Sequence, residues 1–110
     1  MTRYHYAQDK LYVAIRSLAT VQGDVRARLV DAFMTFHPLK EEDFPPKYRA
    51  DWKWIHNQLT KHGPVYDYKG RVYKGSVENT MSKIKNNTGR KIATKIFDIG
   101  YDLLTNEKYL

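Results

Sequence analysis

Residues 90–104, "RKIATKIFDIGYDLL", carry the reading that decides the fold. Ile92, Ala93, Ile96, Phe97, Ile99, Gly100, Leu103 and Leu104 recur at helical spacing, and together they make an apolar face too wide for a helix lying on a surface. The segment therefore reads as the central helix of a bundle. Gly100 falls within that face, where a glycine costs about 1 kcal/mol relative to alanine. A close crossing with another helix at Gly100 is the expectation that accounts for it.

The segments on either side supply partners. In "RYHYAQDKLYVAIRSLAT" (residues 3–20), Tyr4, Ala7, Leu11, Ala14, Ile15 and Leu18 line one helical face, and Gly23 closes the region. Asp24 suits an N-cap, because its carboxylate accepts from free amides at the positive end of the helix that follows. That helix carries Val25, Leu29, Ala32, Phe33 and Phe36 and stops at Pro38. The short spacing around Gly23 predicts an antiparallel helical hairpin. A connector, "PLKEEDFPP" (38–46), is acidic at Glu41–Asp43, and its last two prolines fit the first turn of another helix. That helix, 47–62, places Tyr48, Trp52, Ile55 and Leu59 on one stripe, with Lys61 and His62 at its end before Gly63-Pro64. Ser76 reads as the cap of a helix with Val77, Met81 and Ile84 inward. Residues 86–89, "NNTG", read as a break in which Thr88 caps the last helix. The tail "TNEKYL" reads as a fraying end.

Only residues 65–74 have strand character. "VYDYKGRVYK" alternates tyrosines and cations around a turn at Lys69-Gly70, which predicts a short hairpin or structured loop. A two-stranded hairpin is marginal alone, so helices behind it are expected, and alternation would make Tyr66 and Tyr68 lids over a core. The expected fold is all-α or mainly α: one helical domain over residues 1–110, about five helices, and one short extended insertion near 65–74.

Composition bounds the function. Aromatic residues are 14% of the 110, so a real core is available and disorder is not the expectation. There is no cysteine, which excludes disulfides, thiol nucleophiles and thiolate metal sites. No apolar run reaches the length of a membrane span and residues 1–20 lack a signal-peptide core, so a cytoplasmic protein with no membrane partner is expected. The net charge of +7 is uneven. Residues 64–97 hold eight cations (Lys69, Arg71, Lys74, Lys83, Lys85, Arg90, Lys91 and Lys95) against Asp67 and Glu78. That bias points to a polyanionic partner, nucleic acid or a nucleoprotein, through a basic surface spanning residues 69–95. Tyr66, Tyr68 and Tyr73 are the candidates to stack on unpaired bases.

Catalytic signatures are sparse. His5, His37, His56 and His62 form no metal-ligand spacing, and neither a cofactor nor a metal is expected. No glycine-rich phosphate loop occurs. "NNTGRK" (86–91) is the nearest thing to an anion nest, a break leading into a helix N-terminus with Arg90 and Lys91 following. The helix ending near residue 87, a glycine-containing break and the last helix also have the order of a helix-turn-helix.

One element looks enzymatic. "RADWKWIH" (49–56) places Arg49 and His56 two turns apart on one helical side and resembles the R-x4–6-H element of HEPN-type ribonucleases. The resemblance covers eight residues, and Ala50 stands where that family usually has a polar residue. It implies metal-independent RNA cleavage at a homodimer interface, with Arg49 on the phosphate and His56 in proton transfer. The remaining alternative is a protein-interaction or inhibitor module of the bacterial or phage regulatory type. Its candidate contacts are Glu41–Asp43, Trp54, Tyr68 and Tyr73, Trp54 lying opposite the Trp52 stripe.

Overall fold

The computed structural model describes residues 3–110, and every statement below concerns them. Five α-helices and one antiparallel hairpin follow in the order α1 (His5–Thr20), α2 (Val25–Phe36), α3 (Pro46–Leu59), β1 (Val65–Tyr66), β2 (Val72–Lys74), α4 (Ser76–Lys83) and α5 (Asn86–Thr105), with single 3-10 turns at Glu41–Asp43 and Glu107–Tyr109. This is a small, mainly helical bundle with a hairpin insertion.

Each helix contributes its apolar stripe to one buried cluster. Leu11 and Ala14 of α1, Leu29 and Phe36 of α2, and Trp52, Ile55 and Leu59 of α3 meet Val77 and Met81 of α4 and Ile92, Ile96, Ile99 and Leu103 of α5. The last helix packs on α1, α2 and α3 and is the central element. A side chain at Gly100 would press into Ile15 and lie against Leu11, so this glycine marks the α1–α5 crossing. Asp24 caps α2 as its chemistry demands, accepting from the amides of Arg26 and Ala27 at 3.0 and 3.1 Å.

Several boundaries differ from the sequence expectation, each for a tertiary reason. The break before the last helix is at Ile84 and Lys85, both extended, and Asn86–Gly89 form the first turn of α5. Gly89 is buried there, and a Cβ would approach Val25 Cγ1 to 3.0 Å. The "NNTG" run is therefore a helix start pressed against α2, where Gly89 allows the close approach. Thr88 is not the cap; Lys85 holds that position. Gly75, not Ser76, precedes α4 in the extended N-cap conformation. The third helix stops at Leu59, short of His62.

The connector and the C-terminal tail are both anchored. Phe44 of the connector is fully buried and stacks on Trp52 with centroids 4.8 Å apart. The C-terminal tail is not frayed. Tyr109 is buried edge-on to Tyr4 at 5.9 Å, and the buried amide of Gln8 donates to the carbonyls of Leu103 and Tyr109 at 2.9 and 2.8 Å.

Candidate nucleic-acid interface

The hairpin is built from its turn outward. Asp67 organises it: the Asp67 carbonyl accepts from Gly70 N–H at 3.0 Å, and its own amide donates to Arg71 O at 2.8 Å. One carboxylate oxygen of Asp67 accepts from the amides of Lys69 (2.8 Å) and Arg71 (3.0 Å), and the other takes the Arg71 guanidinium at 3.0 Å. Gly70 has φ +80°, the left-handed conformation that closes a turn followed by a bulge. These bonds, the Arg71 and Lys69 amides first among them, hold the Asp67 carboxyl below its ordinary range. Val65 pairs with Lys74 and Tyr66 with Val72, so Tyr73 is the extra, bulged residue.

Neither strand packs extensively on a helix. The tyrosines are accordingly not lids over the core: Tyr66 is 59% exposed, Tyr68 at the tip 90% and Tyr73 76%. Tyr68 lies in the turn outside both strands and no helix packs extensively behind Tyr66, so the alternation on which the lid expectation rested has no core to cover.

The support comes from below, through polar groups. Thr80 of α4 is completely buried, and its hydroxyl accepts from the His62 amide at 2.9 Å. The same oxygen lies 3.0 Å from the His62 carbonyl and 2.7 Å from that of Ser76. Buried Asn79 donates to Gly63 O at 2.9 Å. Together they clamp residues 62–63 to α4, so the hairpin leaves the bundle from a fixed base as an arm. Sequence reading missed both residues, because a Thr and an Asn on a short helix look like its solvent side.

The eight cations divide among three places. Lys69, Arg71 and Lys74 lie on the arm. Lys83 and Lys85 are exposed at the α4–α5 junction, where Arg26 of α2 donates to Ile84 O at 3.1 Å. On α5 the cations straddle the outer face. Lys91 and Lys95 fall on the side toward α3, where Lys95 pairs with Asp51 at 3.5 Å and stands 5.9 Å from the Trp54 ring centroid. Arg90 falls on the other side, beside α1 and α2, with Nη2 on Asn87 Oδ1 at 2.8 Å. Arg71 and Lys95 are engaged by carboxylates. Lys69, Lys74, Lys83, Lys85, Arg90 and Lys91 take part in none of the ion pairs among the described residues.

The other candidates are placed as follows. Arg49 Nε donates to Phe44 O at 3.1 Å and so holds the connector against α3, while the His56 ring lies 6.1 Å from Phe33. Trp54 is exposed, as its position opposite Trp52 implies. In the acidic connector Glu41 pairs with Lys53 at 3.4 Å, and Asp43 accepts from the Lys40 amide at 2.7 Å. Residues 86–91, the nearest approach to an anion nest in the sequence, form the regular first turns of α5 rather than a separate turn and cap. The main packing partners of α4 are α2 and α3, so α4 and α5 do not make the mutually packed pair of a helix-turn-helix. Among the described residues no cluster of three or more His, Asp or Glu is placed to hold a metal ion, and no helix is long and apolar enough to cross a membrane.

Comparisons with family models, with curated proteins and with solved structures find no match to this chain.

Proposed function

We propose that this protein is a non-enzymatic binder of single-stranded nucleic acid, with the hairpin arm as its principal contact and the cations of α4 and α5 as a secondary track. The observation that supports this reading most is the arm itself. Three tyrosines are extensively exposed beside Lys69, Arg71 and Lys74, on a turn pinned by its own aspartate and a base pinned to α4. Exposed rings held by a rigid support stack on bases with little ordering cost, and lysines without carboxylate partners are available to phosphates. Unpaired bases suit such an arm better than duplex, since every base has a face to stack and no groove has to be entered.

The test is fluorescence anisotropy with a labelled thymidine 20-mer, single-stranded and paired with its complement, from about 50 to 200 mM salt. The expected outcome is salt-sensitive binding that favours the single strand. Replacing Tyr68 by Ala costs roughly 1–3 kcal/mol, about 5- to 150-fold in Kd. Replacing Lys69 by Gln lowers the slope of log K against log salt by about 0.7. Absence of binding at the lowest salt, or binding unaltered by Tyr68→Ala and Lys69→Gln together, overturns the reading.

A further inference from the structure

A second surface lies away from the arm. The C-terminal half of α1, the start of α2 and the first half of α5 enclose an open groove of about 750 Å³. That is within the roughly 300–1,000 Å³ common for small-ligand sites. Ile15, Leu18, Val25, Ala93 and Phe97 supply an apolar wall. Phe97 is 47% exposed and stacks on the more open Tyr101 at 5.7 Å, so the wall runs out to solvent as aromatic surface. Two groups of polar residues edge it. Asn86, Asn87 and Arg90 come from the first turns of α5, and Asp24 and Arg28 from the start of α2.

The charge on this edge is unbalanced. Asp24 is already satisfied: it accepts from Arg26 at 2.8 Å and from two backbone amides, and the Arg26 hydrogen bond is the largest influence holding its carboxyl below the ordinary range. Arg28 spends one nitrogen on Gly23 O at 2.6 Å, while its Nε is enclosed and meets no acceptor in the protein. Arg90 is bonded to the neutral Asn87 side chain. Among the described residues neither Arg28 nor Arg90 has a carboxylate partner. The helix N-termini at Val25 and Asn86 add positive potential to the same end. Neither guanidinium on this edge has an anionic partner within the described residues, and an anionic ligand supplies one.

We infer that this groove binds a small amphipathic anion, a carboxylate with an aliphatic body, whose head is held by Arg28 and Arg90 and whose chain lies along Ile15, Ala93 and Phe97. The apolar wall provides affinity without direction, and the two guanidiniums select the charge and fix which end of the ligand enters.

The probe is sodium decanoate, with decan-1-ol as the uncharged control, titrated into the intact protein and followed by calorimetry and by backbone amide shifts. The expected result is saturable one-site binding of decanoate, at least tenfold tighter than decanol, with shifts centred on Ile15, Ala93 and Phe97. Arg90→Gln, at an exposed position, weakens decanoate about tenfold or more and leaves decanol unchanged. Ala93→Phe fills the groove and abolishes both, and the unchanged thermal melt of Arg90→Gln guards against misreading a folding defect. Lys69→Gln on the arm leaves decanoate binding intact, which separates this site from the nucleic-acid surface. Equal binding of decanol and decanoate, decanoate binding indifferent to Arg90→Gln, or absence of decanoate binding overturns the inference.

Discussion

Replacing Thr80 by Val tests the support of the arm directly. The two side chains have nearly the same shape, so no cavity opens at this fully buried position. What disappears is the hydroxyl that accepts from the His62 amide at 2.9 Å. The backbone carbonyl of Ser76 keeps its helical partner, whereas the half-buried His62 amide is left without an acceptor. Orphaning a donor of this kind costs about 1–3 kcal/mol. A domain of this length is stable by roughly 5–15 kcal/mol, so the variant folds, and each kcal/mol lowers Tm by roughly 4–8 °C. Urea denaturation measures the global loss, and amide hydrogen exchange locates it, with His62 and the neighbouring arm residues exchanging faster. The control is Thr80→Ser, which keeps the hydroxyl, gives up one methyl for about 1 kcal/mol, and leaves the His62 amide protected. A Thr80→Val protein within about 0.5 kcal/mol of the parent, with His62 still protected, would refute the idea that this hydroxyl fixes the base of the arm.

Other outcomes follow from the same structure. Phe44→Ala removes a fully buried ring stacked on Trp52 and destabilises the protein by about 3–5 kcal/mol in urea denaturation, far more than a surface connector would. The carboxyl of Asp67 is depressed below its ordinary value of 3.8 by the bonds that close the turn. Its contribution is therefore complete above that value and is lost as pH falls through the lower folded-state pKa. Amide exchange at Lys69 and Arg71, recorded from pH 6 to about 2.5, should show the turn opening only in the acid limb. In Asp67→Asn the amide oxygen still accepts from the two backbone amides but cannot titrate, so the acid limb should disappear.

How much of this was legible in the sequence can be argued residue by residue. The stripes Leu11/Ala14, Trp52/Ile55/Leu59 and Ile92/Ile96/Ile99/Leu103 were readable, because a helix repeats every 3.6 residues and burial of one face leaves that period in the order of side chains. Asp24 as a cap and Gly70 as a turn were readable because each reflects backbone chemistry within a few residues, and Gly100 as a crossing because a glycine inside an apolar helical face has a cost that close packing explains. The start of α5 was not readable, since its Asn-Asn-Thr-Gly run has turn propensity and the close approach of Gly89 to Val25 is a contact between distant segments. Nor was burial of Phe44 and Tyr109, whose partners Trp52 and Tyr4 are distant in sequence.

The candidate site divides along the same line. The basic excess of residues 64–97 is a property of the chain, and so is the tyrosine-cation pattern of residues 66–74. Whether those tyrosines cover a core or face solvent is decided by what packs behind them, and neither strand packs extensively on a helix; the arm is held instead at its base, by Thr80 and Asn79. The division of Arg90 from Lys91 and Lys95 across α5 likewise depends on which helices flank it. By itself the sequence determined a basic helical bundle with one extended insertion, because periodicity, capping and charge are local quantities. The tertiary structure alone decided that the insertion is an exposed arm and that two arginines edge an apolar groove, because exposure and proximity are set by contacts between segments far apart in the chain.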